Sequence, residues 1–142
     1  MSSTVHPDGW PRPRGYSHGV VASGRILFIA GQVGWDARAP APSFPESFGA
    51  QFDLALGNVL EVLSAAGGSP AALCRLTLYV TDKREYLAAL GECGASWRRR
   101  VGPSYPAMTL VEVSGLLADD AKVELEATAV LAPGGHEPEE GR

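Results

Sequence analysis

"YPAMTLVEV", Tyr105 to Val113, is the stretch on which the fold turns. Its alternation is that of a strand, with Met108, Leu110 and Glu112 on one face and Thr109, Val111 and Val113 on the other. An antiparallel strand with one face in water carries polar residues at every second position. This one is largely apolar on both faces and so requires two covers. Helices of the same chain are expected to supply one. A second copy of the chain supplies the other most simply, which predicts a closed homo-oligomer.

Downstream, a short loop around Leu117 to Asp120 leads into a strand over 121–131. There Val123, Leu125, Ala127 and Ala129 form one face, and Lys122, Glu124, Glu126 and Thr128 the other. Upstream, Asp82 followed by Glu85 resembles a capping box and predicts a helix over 83–99, with Tyr86, Leu87, Leu90 and Trp97 as its apolar stripe. "LCRLTLYVT", from Leu73, alternates as a strand does. Phe48, Phe52, Leu56, Val59, Leu60 and Leu63 recur at helical spacing, and Gly67-Gly68 stops a helix of about 46–66. The loop before it holds Pro40, Pro42 and Pro45. Earlier still, two strand-like runs, 16–22 and 26–33, are split by Ser23-Gly24 and read as a hairpin. The order β-β-α-β-α-β-β predicts an α+β sandwich, one sheet covered on one face by two helices.

The ends differ from this core. Residues 1–14 hold Pro7, Pro11 and Pro13 among polar residues and read as a flexible arm, whereas "PGGHEPEEGR", 133–142, reads as a disordered acidic tail. The domain is therefore placed at 15–132. At 142 residues there is room for one core and not for two. The net charge of −4 provides no basic stripe for phosphates, so no nucleic-acid partner is expected. Arg98-Arg99-Arg100 reads as a solvated helix end favoured by the helix dipole. No apolar run approaches the ~20 residues that span a bilayer, and no signal-peptide core is present. Cys74 and Cys93 lack metal-ligand spacing and read as reduced thiols of a cytoplasmic protein. "GRILFIAGQVG" lacks phosphate-loop spacing, and no Ser-His-Asp order, paired-histidine zinc motif or EF-hand loop occurs. Neither metal nor cofactor is expected.

"YSHGVVASGRILFIAGQVGWD", "QFDLALGNVLEVLSAAGG", "LTLYVTDKREY", "YPAMTLVEVSGLL" and "VELEATAV" follow one another as in the Rid (reactive intermediate deaminase, RidA/YjgF) family. The resemblance covers residues 16–131 in order and spacing. It implies a chorismate-mutase-like α+β fold, a homotrimer, and sites in the clefts between subunits. In RidA proper, 2-imino acids are hydrolysed to 2-oxo acids and ammonia without a cofactor. The arginine that holds the substrate carboxylate there falls on Met108, the cysteine two residues later on Leu110, the glutamate of the last strand on Glu124, and the N-terminal tyrosine on Tyr16. A glutamine is replaced by His18. Losing a bidentate arginine–carboxylate pair costs on the order of 2–5 kcal/mol, and methionine offers no donor in its place. "GQVGWD" and "YPAMTLVEV" resemble an arginine-lacking branch akin to enamine or imine deaminases. A cation for any carboxylate must come from elsewhere, with Arg25, Arg75, Lys122 and Arg98 to Arg100 as candidates.

Imine hydrolysis needs water at an sp² carbon and a carboxyl group to move the proton. Glu124 is assigned that catalytic role; its plain alternative is a solvated or ion-paired carboxylate at the subunit interface. Tyr16 and His18 are candidates for hydrogen bonding or proton carriage, or else for packing and surface. Met108 and Leu110 are candidate apolar walls or core filler, and Trp35 and Trp97 candidate aromatic walls. Glu112, on the face of Met108, enters either the cleft or the subunit interface. The function expected is cofactor-free hydrolysis of a reactive imine or enamine, a small-molecule substrate other than the small 2-imino acids. The alternative is a non-catalytic trimer that binds a metabolite in the same clefts.

Overall fold

The helical period after Pro45 becomes α1, Phe48–Ala65, in the computed structural model of the chain, which describes residues 2–134. Ser47 caps it, its hydroxyl oxygen accepting from the Ala50 N–H at 3.2 Å. Phe48, Phe52, Leu56, Val59 and Leu63 are buried, three to four residues apart, so they share one face. Gly67, at φ 82°, takes the left-handed turn that closes the helix. Residues 135–142, most of the expected acidic tail, lie outside the described residues.

The described residues form six strands and three α-helices. β1 (Ser2–Val5) and β2 (Gly19–Ala22) form a two-stranded ribbon. β3 (Arg25–Val33), β4 (Leu73–Val80), β5 (Ala107–Glu112) and β6 (Val123–Leu131) form a sheet of order β3-β6-β4-β5, parallel only between β4 and β5. This is an α+β fold with a mixed sheet. The even residues of β4, Leu76, Leu78 and Val80, and the odd residues of β6, Val123 to Ala129, pack with Ile29 beneath α1.

Three local expectations change. The runs around Ser23-Gly24 are strands but not a hairpin, because β2 pairs with β1 while β3 pairs with β6. Gly24, at φ 147°, turns the chain out of one sheet into the other, where a side chain would collide with the Leu131 carbonyl. The arm is also regular at its start, since β1 satisfies the free edge of β2, from Ser2 opposite Ala22 to Val5 opposite Gly19. Finally, the second helix is two: α2 (Lys83–Ala88) and α3 (Leu90–Arg100), parted at Ala89. The break rotates the buried face onto Ala89, Cys93 and Trp97, four residues apart, and leaves Leu87 and Leu90 exposed.

The arginine triplet is not merely solvated. Arg100 grips Asp53 of α1 with a fork of 2.9 and 3.0 Å, and Arg99 reaches the same carboxylate at 2.6 Å. The hydrogen bonds from Arg100 hold the Asp53 carboxyl down at about 2. A carboxylate lowered by folding stabilises above its unfolded value, about 3.9, and loses that contribution as pH falls through its folded one. Asp53→Asn is therefore expected to cost about 1–2 kcal/mol at pH 7. In urea titrations the gap from wild type should close between pH 5 and pH 2. A constant gap across that range contradicts this account.

Candidate active site

Ser17 is buried and binds the start of β5 twice: its N–H donates to the Pro106 carbonyl at 2.9 Å and its hydroxyl to the Tyr105 carbonyl at 2.7 Å. A parallel bridge joins it to Ala107. These contacts fix the neighbouring Tyr16 at the mouth of a cleft of about 350 Å³, between the segment 14–16, β5 and the paired helices α2 and α3.

Met108 and Leu110 form the β5 wall of this cleft, half-buried and packed against the core. Trp97 and Tyr105 form another, their rings stacked at 5.4 Å and 8°. The Trp97 Nε1–H donates to the Ser104 carbonyl at 3.0 Å, so the ring cannot swing away. Tyr86 lines the α2 side and Arg14 the rim. Cys93 also lines it, but burial pushes its thiol up to about 11, so it stays protonated and is no nucleophile at neutral pH.

Of the residues expected at the site, Tyr16, Met108 and Leu110 come together in this cleft. His18 flanks it. Its ring meets Tyr16, Trp10 and His6 edge-on at 5.3, 5.1 and 5.5 Å, and its Nε2 is buried without a hydrogen-bond partner among the described residues. Glu112 does share a face with Met108 but lies at the far end of β5. Its carboxylate accepts from the Lys83 N–H at 2.8 Å and so caps α2. Glu124 is on the open face, opposite Tyr79 and Val33. Gly31 makes room for it, since a side chain there would run into its carboxyl group. Trp35 stacks on Phe44, 6.0 Å away in the loop before α1, rather than in the cleft. Met108 and Glu124 thus belong to opposite faces of one sheet.

The candidate cations are mostly engaged. Lys122 pairs with Glu85 at 2.7 Å, Arg99 and Arg100 with Asp53, and Arg75 lies under the open face beside Phe28 and Glu126. Arg14 was missing from that set, although it stands two residues before Tyr16. Among the described residues, no three His, Cys, Asp or Glu side chains are grouped as metal ligands would be. Nor is any helix there long and apolar enough to cross a membrane.

The sequence model of the family described as Endoribonuclease L-PSP matches residues 11–131. A RutC family protein of Pasteurella multocida is 30% identical over 132 residues, 93% of this chain and 100% of that one. A 2-iminobutanoate/2-iminopropanoate deaminase of Salmonella typhimurium is 30% identical, over 92% of this chain and 98% of its own. Among solved structures, the Rid family protein YyfB of Yersinia pestis superposes with a TM-score of 0.79 at 34% identity, covering 92% of this chain and 98% of that one. With a family match across nearly the whole described chain and relatives of this identity, the protein belongs to the Rid/YjgF family.

Proposed function

We propose that the protein is a cofactor-independent hydrolase of a reactive imine or enamine, working as a homotrimer in clefts between copies. One observation carries this: the Met108 cleft and Glu124 lie on opposite faces of the same sheet. Only a neighbouring copy brings a carboxylate like Glu124 to such a cleft. The open face also suits a second copy, for Phe28 is 78% and Ile26 60% exposed on it. Relatives named as 2-iminobutanoate/2-iminopropanoate deaminases support the reaction type.

The chemistry is balanced with water alone. Water adds to the C=N carbon as Glu124 takes its proton, and the same carboxyl group returns a proton to nitrogen. The hydroxyl of the resulting carbinolamine then passes its proton through the same carboxylate to nitrogen, the C–N bond breaks, ammonia leaves and a C=O remains. An enamine first takes a proton at carbon and then follows the same course. No electrons are transferred. Tyr16 offers a hydroxyl to the reacting nitrogen or its water, and Met108 accepts a body larger or less polar than a small 2-imino acid.

The test is ammonia release from enzymatically generated 2-iminopropionate and from bulkier imines and enamines, wild type against Glu124→Gln. Equal rates for every substrate tried would sink the hydrolase. A binding-only trimer is the second reading, favoured because no carboxylate among the described residues lines the cleft of a single copy. Ligands would then raise the melting temperature without turnover. For the assembly, light scattering should give three chain masses for wild type and a smaller species for Phe28→Glu, still folded because Phe28 is exposed in the single chain. A monomeric wild type removes the intersubunit site, and a variant that remains trimeric shows that the open face around Phe28 is not the seam.

A further inference from the structure

We propose that Arg14 is the substrate-anchoring cation of this cleft, which makes the substrate a carboxylate-bearing imine or enamine with an aromatic or bulky apolar body; this rests on the hydrolase reading above. Met108, in the β5 wall, holds a thioether without charge or donor. Arg14 brings a guanidinium to the rim of the same cleft from a different part of the chain.

Three observations converge on this residue. Among the described residues of one copy, Arg14 is the one charged residue lining the cleft, whose other members are apolar, aromatic, Thr109, Cys93 or glycine. Among the described residues no carboxylate of the same copy lines it, so the one charge this copy brings is positive, and it faces the Glu124 that a neighbour supplies as proton carrier. Nor does any carboxylate among the described residues pair with Arg14, whereas Arg38, Arg84, Arg99 and Arg100 each hold one. A guanidinium without a partner beside an apolar hollow selects an anion, and its planar fork suits a carboxylate. A doubly charged phosphate calls for further cations that the lining lacks.

The anchor is also placed with some rigidity. The two hydrogen bonds that Ser17 donates to the Tyr105 and Pro106 carbonyls hold the segment that carries Arg14 and Tyr16 against the start of β5. Beyond Arg14, the stacked Trp97 and Tyr105 rings and Tyr86 form the walls that an apolar or planar body would contact. The charge therefore stands at the rim of the cleft, and the uncharged wall at Met108 leaves room for substrate bulk.

Phenylpyruvate and its uncharged methyl ester, a 2-oxo acid and its neutral counterpart, serve as probes. Calorimetric titration of the full chain should show the acid binding and the ester not. Arg14→Ala should weaken the acid about 10- to 100-fold, with Arg14→Lys between the two, since it keeps the charge and loses the fork. Kinetically, Arg14→Ala should raise KM for carboxylated imines and leave kcat unchanged. Arg14 is exposed in a loop, so its variants should fold, which circular dichroism checks. Arg14-dependent binding without turnover supports the anchor and refutes the hydrolase. Turnover whose KM ignores Arg14 overturns the anchor and leaves the hydrolase standing. Equal or absent binding of acid and ester by wild type overturns the anchor as well.

Discussion

Glu124→Gln is expected to lower imine hydrolysis by about 10²- to 10⁴-fold, the usual contribution of a positioned proton-transfer group. The glutamine keeps the length and one carbonyl oxygen, so packing beside Gly31 and opposite Tyr79 survives. What it removes is the capacity to take a proton from water and return it to nitrogen. Free imines hydrolyse spontaneously, so the measured quantity is the rate above a protein-free blank. The neighbouring Glu126 provides the control. It lies on the same open face, but its carboxylate accepts the Tyr79 hydroxyl at 2.9 Å, and Glu126→Gln keeps an amide oxygen for that bond. Its loss of rate should be small beside that of Glu124→Gln. Equal losses from both would mean a general need for negative charge on this face, not a proton carrier at one position.

Two-residue and helical periods carried the fold. The alternation of Val123 to Ala129 and the stripe of Phe48, Phe52, Leu56, Val59 and Leu63 each became a buried face as read. The elements that escaped are those fixed by distant contacts. Nothing local distinguishes Ser2 to Val5 from a loose end; only the free edge of β2, fourteen residues further on, makes it a strand. Periodicity also runs smoothly through Ala89, where two helices meet, because Leu87 and Leu90 fit a stripe that the turn then rotates outward.

The candidate site divides in the same way. Tyr16, Met108 and Leu110 were grouped from the sequence, and the structure places all three along one cleft. The stacking of Trp97 on Tyr105 was not, since nothing local pairs the two; Trp97, read as stripe and candidate wall, is both core and wall. Glu112 shows the limit of alternation most clearly. Its face is the one read from the strand, yet the Lys83 amide claims its carboxylate. A strand pattern gives the side of a sheet, not the partner waiting there. Arg14 escaped because its segment has no periodicity at all; its place depends on Ser17 binding β5, a contact across 88 positions.

Gln51 makes the largest stability prediction. It is a polar residue on the buried stripe of α1, 1% exposed, and three hydrogen bonds account for it. Its amide donates to the Pro45 carbonyl at 2.8 Å and to the Asp120 carbonyl at 3.0 Å, while its oxygen accepts from the Lys122 N–H at 2.8 Å. One side chain thereby satisfies the loop before α1 and the connection into β6. Gly34 packs so closely on the Gln51 backbone that any side chain there would collide with it, so the helix cannot shift to compensate. Gln51→Leu nearly preserves volume but leaves one donor and two acceptors without partners, at about 1–3 kcal/mol for each buried group. With some rehydration the expected cost is about 3–5 kcal/mol, a large share of the 5–15 kcal/mol typical of a domain. The damage should be local before it is global. Lys122 precedes Glu124 by two residues, so its amide should lose hydrogen-exchange protection earliest, and turnover should fall even where the chain stays folded. A variant that unfolds at the wild-type urea midpoint, with the Lys122 amide still protected, would show that backbone pairing alone holds the start of β6.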